Sequence, residues 1–450
     1  MAATSRKLHL NANVLASGRH DAAWRLEGSA DAVVDIAGFL DIARVAERGT
    51  LDAVFFADGP QLPSDFSLRP WHSLDPTILL AAMATVTESI GLVATASTTF
   101  NEPYNVARRF ASLDHVSKGR AAWNIVTSQS DDAAANFGLV GMPDHADRYE
   151  RAEEFVEIVV KLWDSFEDEA LVLDRATGQY ADPERVHPID HVGKSFSVRG
   201  PLNVPRSPQG RPVIVQAGAS PASKRLGSRW ADALFTVQRA FAEAQEFYAE
   251  LKGLAASHGR DPDSLVILPG VYVVVGSTEA EAWRRKEEMD ALLDLDADVV
   301  RLASRLNVDP GALSLDKPLP DGIDGQGGVG ITSGFVENIL REARQENLTV
   351  RQLLGRNPLG GHRVIVGTPD QIADNMEHWF RGRAADGFNV NMDSYPSGLE
   401  LFVDHVVPEL RRRNLFRTEY EGTTLRDHLG LARPSSQYRG SETSLVGSVS

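Results

Sequence analysis

The chain has 450 residues, 42% of them hydrophobic and 24% charged, a formal net charge of −16 and no cysteine. That balance suits a large globular core and argues against nucleic-acid or polybasic membrane-surface partners. The missing cysteines exclude disulfides, thiolate nucleophiles, iron–sulfur clusters and cysteine-ligated zinc. No apolar run has the length of a signal peptide or a membrane span, so a cytoplasmic protein is expected.

Apolar strand-like runs alternate with amphipathic stretches along the chain. Strands are predicted at Leu8–Val14, Asp52–Asp58, Ile90–Ser97, Ala121–Thr127, Pro212–Gly218, Ala233–Gln238, Val266–Val275 and Gly387–Met392. Between them, helical spacing predicts helices over Asp31–Arg48, Asp75–Thr87, Tyr104–Lys118 and Arg148–Phe166, with Leu399–Arg413 closing the chain. Eight βα units in strict alternation imply a parallel sheet closed into a (β/α)8 TIM barrel. A doubly wound open sheet would need a glycine-rich first turn, which Asn11 to Gly18 does not supply. Thr368-Pro369-Asp370-Gln371 has the pattern of a helix capping box.

The barrel is expected over residues 1–433, with insertions near 61–74, 167–209 and 301–361. The Ser/Gly-rich residues 434–450 are expected to form a flexible tail. The 61–74 loop and the 301–361 insertion are the candidate specificity elements.

In such a barrel, functional groups collect where strands end. Asp58 closes the second strand, where it could equally be a turn residue. Thr95 and Ser97 share one face of the third strand, and buried hydroxyls there need partners from a ligand or from backbone. Asn124 is polar inside the apolar fourth strand, a costly choice unless it pairs, and its amide could meet a heterocycle edge. Ser128 ends that strand. His145 and Tyr149 lie one turn apart near a helix start, as an anion site or a packed pair would require. Gln216 to Pro221 places Ser220 as an N-cap before Pro221, where free amides could hold a phosphate. His187 and His191 have i, i+4 spacing in a Pro-interrupted loop with no third ligand, so no metal is expected. There is no serine nucleophile elbow and no phosphate loop ending in Gly-Lys-Ser/Thr.

The segments FFAD (55–58), ATASTTF (94–100), FASLDHVSKGRAAWNIVTS (110–128), HADRYERAEEF (145–155) and FSVRGPLNVPRSPQGRPVIVQAGAS (196–220) occur in order. Together they resemble the nitrilotriacetate, dibenzothiophene-sulfone and long-chain-alkane monooxygenase branch of the bacterial luciferase-like flavoproteins, from about Leu8 to Val407. The resemblance implies FMN reduced by a separate NAD(P)H:flavin reductase, O2 as co-substrate, a flavin C4a-(hydro)peroxide as oxidant, and a homodimer or homotetramer. It places Asp58, Thr95 or Ser97, Ser128, His145, Tyr149 and Ser220 at the flavin, the last three on the phosphate side. GRHDAAWR (18–25) is similar to a family segment with two histidines, which puts His20 near the reactive edge as a hydrogen-bond donor or acid/base group. Arg19 replaces the first histidine of that pair. Phe56 is expected to wall the ring. A deazaflavin-dependent dehydrogenase and a non-catalytic flavin-binding protein remain open, and no residue identifies the substrate.

Overall fold

The computed structural model describes residues 6–29, 33–63, 66–323, 333–356 and 361–438. Nine parallel strands form the main sheet: β1 (His9–Asn13), β2 (Ala53–Phe56), β3 (Gly91–Ser97), β4 (Ala121–Val126), β5 (Val213–Ala217), β6 (Ala233–Thr236), β7 (Val266–Val275), β8 (Arg363–Gly367) and β9 (Gly387–Met392). The order runs β6-β5-β4-β3-β2-β1-β9-β7, and β6 pairs back onto β7 in the register Ala233 to Val266. The sheet therefore closes as an eight-stranded barrel. The ninth strand, β8, is a departure from the sequence expectation. It pairs with the upper half of β7, Val271 to Val275, where β7 has already parted from β6. The barrel mouth thus forks between β6 and β7.

Helices pack around the sheet: α1 (Ile36–Arg48), α2 (Pro76–Ala84), α3 (Pro103–Val116), α4 (Asp131–Asn136), α5 (His145–Asp164), α6 (Pro221–Trp230), α7 (Phe241–Ser257), α8 (Glu279–Asp290), α9 (Leu295–Leu306), α10 (Ser333–Gln345), α11 (Val350–Gly355) and α12 (Pro369–Arg381). Their starts follow local chemistry. Asp35 accepts from Gly38 N at 3.2 Å to begin α1, and Asp75 caps α2 from Thr77 N, with Pro76 at the first helical position. Both halves of the Thr368/Gln371 capping box are present at α12. The closing helix is less regular than its sequence suggests. It runs Ser397–Leu401, passes through a π turn at Phe402–Val406, and resumes at Val407–Arg412. Pro408 lies at the second helical stretch's start and has no N–H to donate to the i−4 carbonyl, which accounts for the interruption.

Two apolar layers hold the fold. Inside the barrel, Phe55, Val93, Ala122, Val215, Val266 and Leu268 form a plug, sealed from below by Leu425, Leu429 and Leu431. Outside, alternate strand residues such as Val54, Leu92, Trp123 and Ile214 pack on the helices. The lower rim is stapled by three aspartates, Asp52 and Asp386 buried and Asp232 partly so, each accepting the backbone N–H of a neighbouring strand: Asp52 from Leu10, Asp232 from Ile214 and Asp386 from Ile267. Polar chemistry at this end of a barrel serves stability.

The insertions are distinct. Residues 167–209 carry two short antiparallel hairpins, Leu171–Asp174 with Gln179–Ala181 and His191–Val192 with Ser197–Val198. Helices α9, α10 and α11 share their own core of Leu302, Leu306, Ile339, Leu353 and neighbours. At the chain's end, Pro434 O accepts from Arg206 at 2.7 Å and the Tyr438 ring stacks on His187 at 4.0 Å. Residues 434–438 are therefore packed, and the rest of the expected tail lies outside the described residues. No helix among the described residues is long and apolar enough to cross a membrane.

Candidate active site

A cavity of about 970 Å³ opens at the C-terminal ends of β4, β5 and β6. Asp58, Ser128, Tyr149 and Ser220, four residues singled out from the sequence, all line it. Each arrives by a different local device. Tyr149 stands one turn into α5, with its ring 4.7 Å from that of His145. Ser128 is a non-glycine residue at φ +51°, a sparsely populated conformation. There its hydroxyl meets Ser97 Oγ at 2.8 Å. Ser220 caps α6 by accepting from Ser223 N at 3.2 Å, which leaves its own O–H available to a ligand. Ahead of it, Gly218 has φ +141°, and a Cβ there would lie 2.4 Å from Ser223 Oγ. The backbone can make this turn beside the cavity only with glycine.

Behind this lining is a buried polar layer. Thr95 donates to Phe56 O at 2.8 Å and accepts from Asn124 Nδ2 at 2.9 Å, so its hydroxyl is satisfied within the protein. Ser97 accepts from Thr99 N at 3.1 Å in addition to its contact with Ser128. None of Thr95, Ser97, Asn124 and His145 lines the cavity; Ser97 is joined to it through Ser128, and His145 stands beside Tyr149. Asn124 keeps one atom unsatisfied: its Oδ1 is buried and has no hydrogen-bond partner. A buried amide oxygen in that state is costly, and a ligand N–H would relieve it.

Asp58 is accessible from the cavity mouth. Desolvation by the surrounding walls, with the negative charge of Asp75 second, raises its carboxyl to about 6.

The other two expected residues lie elsewhere. The Phe56 ring packs edge-on against Phe39 of α1, with centroids 5.8 Å apart, in the layer outside the barrel. The phenylalanine turned inward is Phe55, which meets Phe235 at 5.6 Å. The expectation that Phe56 walls a ring is therefore corrected: strand alternation sends the neighbour inward instead. His20 is no solvated rim residue, being 7% exposed. Its Nε2 meets Asp290 Oδ1 at 3.0 Å, and its Nδ1 accepts from Ala22 N at 3.1 Å. Both ring nitrogens are thus engaged, with the proton on Nε2. His187 and His191 engage separate carboxylates, Glu167 at 2.6 Å and Glu154 at 3.1 Å.

The sequence profile of the luciferase-like monooxygenases matches residues 13–386. The chain is 48% identical over 435 residues to nitrilotriacetate monooxygenase component A of Aminobacter aminovorans, covering 93% of this chain and 95% of that protein. It is 40% identical over 428 residues to dibenzothiophene-sulfone monooxygenase of Rhodococcus erythropolis, covering 92% and 94%. The solved structure of EDTA monooxygenase from Chelativorans sp. BNC1 superposes with a TM-score of 0.83 at 37% identity, covering 95% of this chain and 99% of that one. The chain belongs to the luciferase-like monooxygenase family.

As a flavin-dependent monooxygenase of that family, the chain is not the deazaflavin dehydrogenase or the non-catalytic binder that its sequence leaves open. Two further polar groups of this monooxygenase are absent from the sequence-predicted set. Gln216 is buried and lines the cavity, with Nε2 on Ser223 Oγ at 2.6 Å and Oε1 unpartnered. Lys224 lines it too, paired with Glu250 at 2.6 Å. Gln216 does carry a sequence signal, since it breaks an apolar strand as Asn124 does.

Proposed function

We propose that this chain is the oxygenase component of a two-component system, taking FMN reduced by a separate NAD(P)H:flavin reductase, together with O2, to oxygenate a small organic substrate. The observation that carries the proposal is a single cavity at the barrel mouth lined by three hydroxyls, on Ser128, Tyr149 and Ser220, with the unpartnered Asn124 oxygen in the buried layer of β3 and β4. The name of the Aminobacter relative, a component A, supports the two-component arrangement. The names of the relatives cover an aminopolycarboxylate, an organosulfur compound and a long-chain alkane. Those three chemistries set the substrate classes to be tried.

The residues present suit such a cofactor. The Tyr149 and Ser220 hydroxyls can donate to its phosphate, with Ser128 beside them, and the start of α6 adds backbone N–H groups. Asn124 Oδ1 is an acceptor for a ring N–H. Reduced FMN, when bound, supplies the electrons that activate O2. The protein's part is to bind, orient and exclude water. The apolar plug of Phe55, Val93 and Leu268 provides a dry floor beneath the polar layer.

The test is O2 uptake by the purified chain with NADH, FMN and an unrelated flavin reductase, followed across a panel of organosulfur, carboxylate and alkane substrates. Oxygenated product appearing only with all components supports the proposal. Hydride transfer without O2 consumption, or tightly held oxidised FMN surviving gel filtration, would overturn the shuttled-flavin arrangement.

A further inference from the structure

We propose that Lys224 leaves Glu250 to hold the flavin phosphate, so that carboxylate and phosphate compete for one ammonium at the edge of the cavity. The proposal rests on the reduced-FMN reading above and deepens it, adding a movable cation to the three hydroxyls.

Lys224 lies one turn after Ser220 in α6, and its backbone N–H donates to Ser220 O at 2.8 Å. Both residues line the cavity. Side chains on a helix lean toward its N-terminus, so Lys224 leans over the turn that Ser220 caps. That turn is itself held in place, with Gln216 Nε2 donating to Ser223 Oγ at 2.6 Å. What can move is the lysine's four-carbon stem.

Charge makes the case for a cation. Among the described residues that line the cavity, Lys224 is the one cation, and it faces carboxylates on Asp58, Glu243, Glu246, Glu250 and Glu337. A phosphate monoester brings roughly −1.5 to −2 charge at pH 7. Hydroxyls and the start of α6 can satisfy its oxygens, but they leave most of that charge unmet beside like charges. A lysine within reach of the same helix turn can meet it.

The lysine's present contacts let it go at low cost. Its Nζ is 2.6 Å from Glu250 Oε2 and 5.1 Å from the centre of the Phe247 ring, and both partners line the cavity. The ammonium therefore already stands at the cavity's edge. Glu250 is 49% exposed at its side chain, against 18% for Lys224, so water competes for the pair and holds its strength down. The phosphate carries more charge than Glu250 and accepts charge-assisted hydrogen bonds, which makes it the stronger partner.

The experiment is an anaerobic titration of the full chain with FMNH2 and with reduced riboflavin, which lacks the phosphate, followed by tryptophan fluorescence. The parent should bind FMNH2 the tighter of the two. Lys224→Gln should weaken FMNH2 binding about tenfold or more, the loss of a charge-assisted contact, while reduced riboflavin stays within about twofold. Lys224→Arg, which keeps the charge, should retain part of the preference and guards against misfolding as the cause. Glu250→Gln frees the lysine and should tighten FMNH2 binding about two- to fivefold, with reduced riboflavin again unmoved. A mere brace between α6 and α7 predicts the opposite sign, since breaking it from either end would harm binding alike. Equal affinity of the parent for both flavins, unchanged FMNH2 affinity in Lys224→Gln, equal losses of both flavins in that variant, or no gain in Glu250→Gln overturns the exchange and leaves the flavin reading standing. A parent that binds neither flavin would refute that reading, and the exchange with it.

Discussion

Asn124 Nδ2 donates to Thr95 Oγ1 at 2.9 Å, while Oδ1 of the same buried amide has no partner. The pair thus spends one half of the amide on the fold and keeps the other half for something absent from the chain. Replacing Asn124 by leucine, of similar volume, removes the orphan acceptor and one neutral hydrogen bond. The two changes oppose each other, so the stability of the unliganded protein should move by no more than about 1 kcal/mol. FMNH2 affinity should nevertheless fall roughly tenfold, since a hydrogen bond of about 1–1.5 kcal/mol is lost only in the complex. Urea unfolding and anaerobic flavin titration check the two halves separately. Marked destabilisation with unchanged flavin affinity would make Asn124 purely structural.

Tyr149 of α5 and Ser220 at the start of α6 are expected to grip the phosphate. Tyr149→Phe should weaken FMNH2 binding about tenfold or more, as expected for a hydrogen bond to a charged group worth about 1.5–3 kcal/mol. Ser220→Ala should do the same and should also cost about 1 kcal/mol of stability, because Ser220 caps α6. Ser220→Thr keeps the hydroxyl and the cap and should restore both. Normal affinity in Tyr149→Phe and Ser220→Ala would move the phosphate to another part of the rim.

The strands and most helices are legible in the sequence because each strand is a short, doubly buried apolar run, and most helices carry their own cap. Asp58, Ser128, Tyr149 and Ser220 are legible because strand ends and helix starts are where a barrel must place polar groups. Other features have no local signal. The Phe55-Phe56 doublet does not say which ring faces inward; the register of β2 decides it. Strand β8 hides in a short run after a long insertion and exists only because β7 outlasts β6. His20 looks like a rim residue in the sequence because its partner, Asp290, lies on a distant helix.

The rim aspartates make an acid prediction. Burial pushes Asp52, Asp232 and Asp386 up, but Arg417 and His9, Arg426, and Lys252 with Arg6 respectively bring all three below the usual carboxylate range. A folded-state value below the unfolded one of about 3.9 favours the native state wherever the group is ionised. That stability is fully present above about pH 4 and is lost as pH falls through the depressed values. Tm should therefore hold between about pH 7 and pH 5 and drop steeply below about pH 4. Asp232→Asn should shallow that drop yet cost about 3–5 kcal/mol at neutral pH, because Arg426 is left buried without its counter-charge. A Tm indifferent to acid in that range would remove the staples from the stability of the barrel.

The contact between His20 and Asp290 bears on how the β1 loop works. His20 has its Nε2–H on Asp290 and its Nδ1 occupied by the Ala22 N–H, and Asp290 also holds Lys286 at 2.5 Å. Neither nitrogen is left to exchange a proton with a reacting group, so the geometry favours a positioning role: His20 anchors the loop after β1. In that case His20→Ala and Asp290→Ala should each lower stability, and the double variant should lose less than the sum. The coupling expected for one buried, charge-assisted contact is about 1–3 kcal/mol. With a substrate identified by the panel, the ratio of product formed to O2 consumed at saturation should match the parent. A positioned acid/base group would behave differently. It would contribute a factor of about 10²–10⁴ to the chemical step, so its loss would divert O2 to hydrogen peroxide while NADH-driven uptake continued. A collapsed product ratio in His20→Ala, with normal coupling in Asp290→Ala, would return His20 to the chemistry and overturn the anchoring role.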